Sequence, residues 1–259
     1  MEVFRFKKFD VVNERSAMKV NTDGVLLGAA MTITPQDRHL LDIGTGTGTI
    51  ALMAAQRLTE LLEKSSYSPH LQDEMRIDAI DIDGISAEEA RHNFEMSPWN
   101  GIVKAHHASL NEYEAHISAD IRFDLIFSNP PYFEDSLIAP DERKSTARHT
   151  SEGLSYRDIL DFAARRLTSG GRVALVLPAE QEHDLTRHAR MCDLHLRRIL
   201  RVRTVARKAP KRIIVEFIRR HVGGISQIPS LQDDTLIIQS EGKYTQEYLS
   251  LTHDFYLFA

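Results

Sequence analysis

Asn129-Pro130-Pro131-Tyr132 directly follows the apolar run Phe123–Ser128, and these residue types in this order suit one kind of chemistry. Asn contributes an amide oxygen that accepts hydrogen bonds. Two prolines fix φ twice and remove two backbone donors, which leaves carbonyl acceptors. Tyr132, with Phe133 behind it, offers a flat face for stacking. A planar group bearing N–H donors fits such a site, and the exocyclic amino group of a nucleobase is one. The apolar run reads as a buried strand, so the motif stands at a strand's carboxyl end, where open α/β sheets place their ligands. A plain strand-ending turn is the alternative, since Asn and Pro both favour turns.

A second constellation lies upstream. His39–Ile43 reads as a strand, Gly44-Thr45-Gly46-Thr47-Gly48-Thr49 follows, and apolar residues at helical spacing run from Ile50 to Leu62. Strand, glycine turn and helix start are the setting in which such a motif binds a nucleotide-like cofactor, through close backbone approach and free N–H groups. Dinucleotide folds require a third glycine where Thr49 stands. Asp42, just before the turn, would repel a pyrophosphate and attract an ammonium group. S-adenosylmethionine, which carries an amine and a sulfonium, fits better than NAD. Asp81 ends the next apolar run, beside Ile82, and is placed to accept from ribose hydroxyls. It lies 33 residues past Gly48, against about 20 in the usual spacing, with the polar stretch 64–74 between them. Asp83 is expected to cap the helix from Ile85 to Met96.

These residues need a frame to hold them. Strands are expected at His39–Ile43, Ile77–Asp83, Ile102–His106, Phe123–Ser128 and Arg172–Leu177, alternating with helices. Gly170-Gly171 is expected to close the helix Ser155–Leu167. The pattern predicts an α/β fold: a doubly wound, Rossmann-like, seven-stranded and mostly parallel sheet. Leu194–Val202 and Ile213–Arg219 have no helix between them and predict an antiparallel pair, followed by a short strand at Leu236–Ile238 and a helix near Thr245–Leu251. Residues 1–35 form a leader, expected on the cofactor and substrate side, in which Thr22 or Asp23 caps a short helix. The whole of 1–259 reads as one domain.

Composition narrows the partners. The chain has 259 residues, 42% apolar and 27% charged, with a net charge of −5. Ten Lys or Arg and one acid fall between Arg197 and Arg220, a basic face on an acidic body of the kind that meets a polyanion. Arg207, Lys208, Lys211 and Arg212 are its candidate RNA contacts. A single cysteine, Cys192, excludes an internal disulfide and suits a reducing cytoplasm. No run approaches the roughly 18 apolar residues of a membrane span, and no Cys/His spacing suggests a metal. A monomer is the default expectation.

Asp42-Ile43-Gly44-Thr45-Gly46-Thr47-Gly48, Asp81 and Asn129-Pro130-Pro131-Tyr132 together resemble the class I S-adenosylmethionine-dependent methyltransferases that modify planar amino or amide nitrogens. Phe4–Phe9, Met18–Ala29, Ser97-Pro98-Trp99, Ala147-Arg148-His149, Pro210–Phe217 and the tail from Tyr244 resemble the bacterial tRNA(Val) adenine-37 N6-methyltransferase family. The resemblance implies transfer of a methyl group to N6 of adenosine 37 in the anticodon loop. Ser109 stands where related enzymes often carry Asp against the cofactor's adenine, which alters that contact. The resemblance implies that Asn129 and the Pro130 carbonyl hold the amino group, Pro131 shapes the turn and Tyr132 stacks on the base. It assigns Asp42, Gly44, Thr45, Gly46, Gly48, Asp81, Ile82 and Ser109 to the cofactor. Another RNA or DNA base-amino methyltransferase, or a protein-glutamine methyltransferase, is the alternative; the latter typically carries a helical domain ahead of the glycine motif.

Overall fold

The computed structural model of the chain describes residues 2–64, 75–131, 153–219 and 230–259. Its elements run β1 (Val3–Arg5), β2 (Asp10–Val12), α1 (Thr22–Ala30), β3 (His39–Ile43), α2 (Thr49–Lys64), β4 (Arg76–Asp81), α3 (Gly84–Glu95), β5 (Val103–His107), α4 (Leu110–His116) and β6 (Phe123–Ser128). There follow α5 (Tyr156–Arg166), β7 (Leu167–Pro178), a 3-10 turn (Ala179–Gln181), α6 (Glu182–Met191), β8 (Leu194–Arg203), β9 (Arg212–Arg219), β10 (Gln232–Ile237), β11 (Gln239–Ser240), β12 (Lys243–Tyr244) and α7 (Gln246–Thr252).

The main sheet has the order β10-β8-β9-β7-β6-β3-β4-β5. β5, β4, β3, β6 and β7 are parallel, and β9 runs antiparallel to both β7 and β8. The doubly wound sheet and its antiparallel C-terminal pair are as expected. β10 adds an eighth strand, parallel to β8. The order of strand addition reverses between the parallel strands β3 and β6: the crossovers build outward to β4 and β5 on one side and to β7 on the other. That reversal opens a crevice at the strands' carboxyl ends.

Strand alternation divides the core. Leu40, Ile77, Leu125 and Phe127 point into one cluster with α1, α2 and α3. Leu41, Ile80, Ile126 and Val173 point into the other, with α4, α5 and α6.

Two local expectations are corrected, and one helix is added. Asn21, not Thr22 or Asp23, caps α1, its side chain accepting from the Gly24 N–H. Helix α4 was not anticipated, although Ser109 and Glu112 form the reciprocal capping box that starts it. Gly170 and Gly171 do not close α5, which ends at Arg166; they lie inside β7 where its register against β6 shifts. Within the leader, β1 and β2 pair as a hairpin.

Side chains of α3 tie the leader down. Glu89 is buried and accepts from the backbone N–H groups of Glu14, Arg15 and Ser16 at 2.7–3.0 Å. Asn93 accepts from Val12 N–H at 2.8 Å and donates to the Thr47 carbonyl at 2.9 Å, which joins the leader to the glycine turn. At the other end of α1, Arg57 donates to the carbonyls of Gly28 and Met31, and Arg198 donates to Ala30. Cations at a helix C-terminus complement its exposed carbonyls. Burial pushes Arg57 down to about 10, which leaves it charged at neutral pH. Helix α1 is thus fixed at its far end and presents Asn21 to the crevice.

Candidate active site

The glycine turn starts where β3 ends. Gly46 and Gly48 have φ of +56° and +82°, a region L side chains rarely adopt. Space is also closed to side chains there: a Cβ on Gly48 would lie 2.4 Å from Phe94 Cε1, and one on Gly46 would lie 3.2 Å from the Met18 carbonyl oxygen. Gly44 and Thr45 donate their N–H groups to the Ile80 carbonyl, which pins the turn to β4. Thr47 and Thr49 bond each other through their hydroxyls at 2.8 Å, and α2 begins immediately.

Two carboxylates face this turn. Asp42 is fully buried and receives the Thr45 hydroxyl at 2.7 Å. Its Oδ1 is buried with no hydrogen-bond partner among the described residues. Burial pushes the Asp42 carboxyl up to about 7; the Thr45 hydroxyl opposes this, neighbouring Asp81 adds to it, and the Ala51 N–H at the start of α2 opposes it more weakly. An unpartnered buried oxygen of this kind is costly unless something supplies a donor, and an ammonium group does so. Asp81 accepts from Gly46 N–H at 2.8 Å and Asp83 N–H at 2.9 Å; burial raises its pKa while those two bonds pull it down. Asp83 caps α3 as expected, accepting from Ser86. Ile82, apolar and 70% exposed, lies just past the carboxyl end of β4, where a flat ring could rest on it.

Ser109 is engaged differently. Its hydroxyl and its N–H both donate to Glu112 Oε2, at 2.7 and 2.8 Å. It caps α4, and accepting is the role left to it at a cofactor ring. These groups fit S-adenosylmethionine: the orphaned Asp42 oxygen as acceptor for its amine, the Gly46–Gly48 cradle for its body, Asp81 as acceptor for ribose and Ile82 for the adenine face.

Asn129 and Pro130 are both buried beside the turn, while Pro131 is exposed. Ser128, just before them, donates its hydroxyl to the Ile43 carbonyl at 2.6 Å, locking the end of β6 to the end of β3. A single cavity is lined by Met18, Asn21, Gly24, Thr45, Thr47 and Asn129. The structure therefore brings Asn129 and Pro130 to Asp42, Gly44, Thr45, Gly46 and Gly48, with Asp81, Ile82 and Ser109 along the same sheet edge. Tyr132, Phe133, Ala147-Arg148-His149 and the crossover 65–74 lie outside the described residues.

The basic residues separate into two groups. Arg207, Lys208 and Lys211 are exposed on the β8–β9 connection. Because β9 is antiparallel to β7, this connection emerges at the same sheet edge as Asn129. Arg212 is half-buried and donates to Asp23 Oδ2 at 2.8 Å, so it braces the start of α1 rather than standing at a hairpin tip.

Reading the chain alone missed Asn21, Glu89 and Asn93. Asn21 carries a local capping signal and Glu89 and Asn93 are polar residues within α3, and nothing local shows that they reach residues 46 to 108 positions away. It also missed a gathering of Asp161, His188 and Cys192. His188 Nε2 lies 2.8 Å from Asp161 Oδ1, and the Cys192 thiol donates to the same oxygen at 3.1 Å. Burial and Asp161 push the thiol up to about 12, so it keeps its proton and the three groups satisfy one another between α5 and α6. No helix among the described residues is long and apolar enough to cross a membrane.

Comparison with known proteins places the geometry. Residues 16–208 match the family model described as the methyltransferase small domain. The chain is 40% identical to the tRNA1(Val) (adenine(37)-N6)-methyltransferase of Parabacteroides distasonis, covering 98% of this chain and 97% of that one. It is 39% identical to the protein of the same description from Trichodesmium erythraeum, with the same coverage. Among solved structures, a predicted O-methyltransferase from Agrobacterium tumefaciens has a TM-score of 0.63 at 17% identity, covering 90% of this chain and 96% of that one. The Thermus thermophilus 16S rRNA N2 G1207 methyltransferase, in complex with AdoMet and guanosine, has a TM-score of 0.52 at 19% identity, covering 85% and 50%. At these identities the solved structures bear on fold.

Proposed function

The chain belongs to the tRNA1(Val) (adenine(37)-N6)-methyltransferase family, and from that premise we propose that it methylates N6 of adenosine 37 in tRNA(Val), with S-adenosylmethionine as donor. The observation that carries the reading is the placement of Asn129 across one cavity from Gly44, Thr45 and Thr47 of the acid-led glycine turn, with Pro130 buried next to it in the chain.

S-adenosylmethionine, when bound, supplies an electrophilic methyl group on a sulfonium. Asp42 holds the amine, Gly44, Thr45, Gly46 and Gly48 admit the methionyl part, Asp81 accepts from the ribose, and Ile82 and Ser109 border the adenine. The reacting nitrogen is a poor nucleophile because its lone pair is delocalised into the ring. Asn129 Oδ1 and the Pro130 carbonyl accept its two N–H bonds, which holds it in place and favours the pyramidal geometry that exposes the lone pair. Pro131 keeps that turn rigid. As the N–C bond forms the methyl–sulfur bond would break and the sulfur depart as a neutral thioether; no strong base is required first, since the proton leaves the cationic nitrogen for water afterwards. Tyr132 and Phe133, next in sequence, provide stacking faces for the base, an interaction of about 1–3 kcal/mol per base. An anticodon-loop base is already single-stranded, which lowers the cost of extruding it.

Arg207, Lys208 and Lys211 meet the RNA backbone beyond the site. This reading takes 1–259 as one domain whose leader forms a wall of the site, and a tRNA substrate sets its work in the cytoplasm. Methyl incorporation into tRNA1(Val) transcripts carrying A or G at position 37 tests it. Incorporation is expected with A37 alone, and equal incorporation into both transcripts contradicts the reading. In the same assay Asn129→Ala loses transfer while cofactor affinity, measured by calorimetry, stays within a few fold. Reversing charge at Lys208 and Lys211 weakens tRNA binding and flattens its dependence on salt; an unchanged slope removes that connection from the RNA surface.

A further inference from the structure

We propose that Asn21 is a positioning residue that fixes which way the amide of Asn129 faces. This rests on the reading of Asn129 as an acceptor for N6. An Asn side chain can present either its oxygen or its NH2 to the substrate, and the two differ by a half-turn about one bond. An amino group needs the oxygen; the reversed amide would set donor against donor.

Asn21 decides between them because its own orientation is fixed by backbone groups. Its Oδ1 accepts from the Gly24 N–H at 2.9 Å. Its Nδ2 donates to the Lys19 carbonyl at 2.9 Å and lies 3.6 Å from Met18 Sδ. Backbone N–H and C=O cannot exchange roles, so the Asn21 atom that meets Asn129 is an oxygen. Asn129 presents Nδ2 to it at 3.5 Å, a long contact near the limit of hydrogen bonding. Its main effect is exclusion, because the reversed amide would bring two oxygens together. With Nδ2 turned toward α1, Oδ1 is turned to the opposite side of the amide.

The same residue links several parts of the site. Asn21 starts α1 and holds the chain at Lys19, next to Met18, whose carbonyl oxygen overlies Gly46. The C-terminus of α1 is clamped by Arg57 and Arg198. The wall over the cofactor turn and the amide that receives the substrate are therefore set by one side chain.

Asn21→Ser separates the two roles. Serine caps a helix as well as asparagine does, so the melting temperature is expected to stay within about 2 °C, but its shorter side chain cannot reach Asn129. At saturating cofactor kcat is expected to fall by ~10-fold, on the scale that misorientation of a reacting group costs, with cofactor Kd changed much less. Asn21→Asp keeps an oxygen acceptor for both Gly24 and Asn129 but, like Ser, loses the bond to the Lys19 carbonyl; it differs from Ser in reaching Asn129 and is expected to recover part of kcat. Wild-type kcat in Asn21→Ser, or equal losses in the Ser and Asp variants, overturns the inference. Asn129→Ala is measured alongside: if it is inactive while Asn21→Ser is normal, only the inference fails, and if it is active, the reading of Asn129 fails with it.

Discussion

Asp42 and Asp78 lie on neighbouring strands, both fully buried, one register step apart and on opposite faces of the sheet. At Asp78 burial disfavours the charge, yet His106, His39 and Arg76 donate to it at 2.6, 2.8 and 2.8 Å and hold its pKa below the usual carboxylate range. At Asp42 the Thr45 hydroxyl is the one side-chain donor among the described residues, Oδ1 has no partner and the pKa rises to about 7. The amino end of the sheet repeats the first pattern: Asp37 is paired with Arg172, and Asp124 accepts from the N–H groups of Arg38 and His39 and from Thr168. Asp78 and the acids at the amino end complete their charges within the fold, whereas Asp42 leaves one oxygen incomplete beside the glycine turn. Functional sites commonly hold polar groups that the fold alone would not choose.

Removing one carboxylate at a time breaks this contrast. Asp78→Ala strips a buried hub from three donors and is expected to cost about 3–5 kcal/mol, read from urea denaturation, with cofactor affinity of the folded fraction unchanged. Asp42→Asn should cost little stability at pH 7, because it removes a charge that burial already disfavours.

The pH profiles sharpen the contrast, since the two signs are opposite. Between pH about 4 and 7 the folded Asp42 keeps a proton that the unfolded chain has lost, so its contribution to stability falls as pH rises, by up to ~4 kcal/mol for a shift of that size. Asp78 contributes above its ordinary pKa, and its contribution is lost as pH drops below about 4. Asp42→Asn should flatten the upper window and leave the acid limb in place.

The smallest effect expected concerns the ligand. Ionised Asp42 is the form that pairs with an ammonium, so cofactor affinity should strengthen from pH 6 to 8 in the wild type. In Asp42→Asn that pH dependence should vanish, and affinity should fall by ~10-fold, a typical scale for losing a charge-assisted bond. Calorimetry across this range checks both.

Much of this was legible in the chain because the signals are local. Asp42, the alternate glycines and the Asn-Pro-Pro motif each follow an apolar run, and strand periodicity suffices to bring the strand ends to one edge. Asp83 as a cap follows from the same short-range logic. Helix α4 was readable from Ser109 and Glu112 but was passed over. Asn21 reaching Asn129, Glu89 gathering three leader N–H groups, and His39, Arg76 and His106 meeting on Asp78 depend on tertiary placement, which single-residue spacing does not encode. Arg212 shows the converse, a residue grouped with a basic run by sequence and then taken out of it by Asp23.

The most direct test is nucleoside mass spectrometry of tRNA1(Val) taken from a host lacking this modification and incubated with S-adenosylmethionine and either the wild-type chain or Asn129→Ala. The account predicts N6-methyladenosine in the fragment carrying position 37 with the wild type and none with the variant. Methylation at another nucleotide, or at A37 by both proteins, would contradict it.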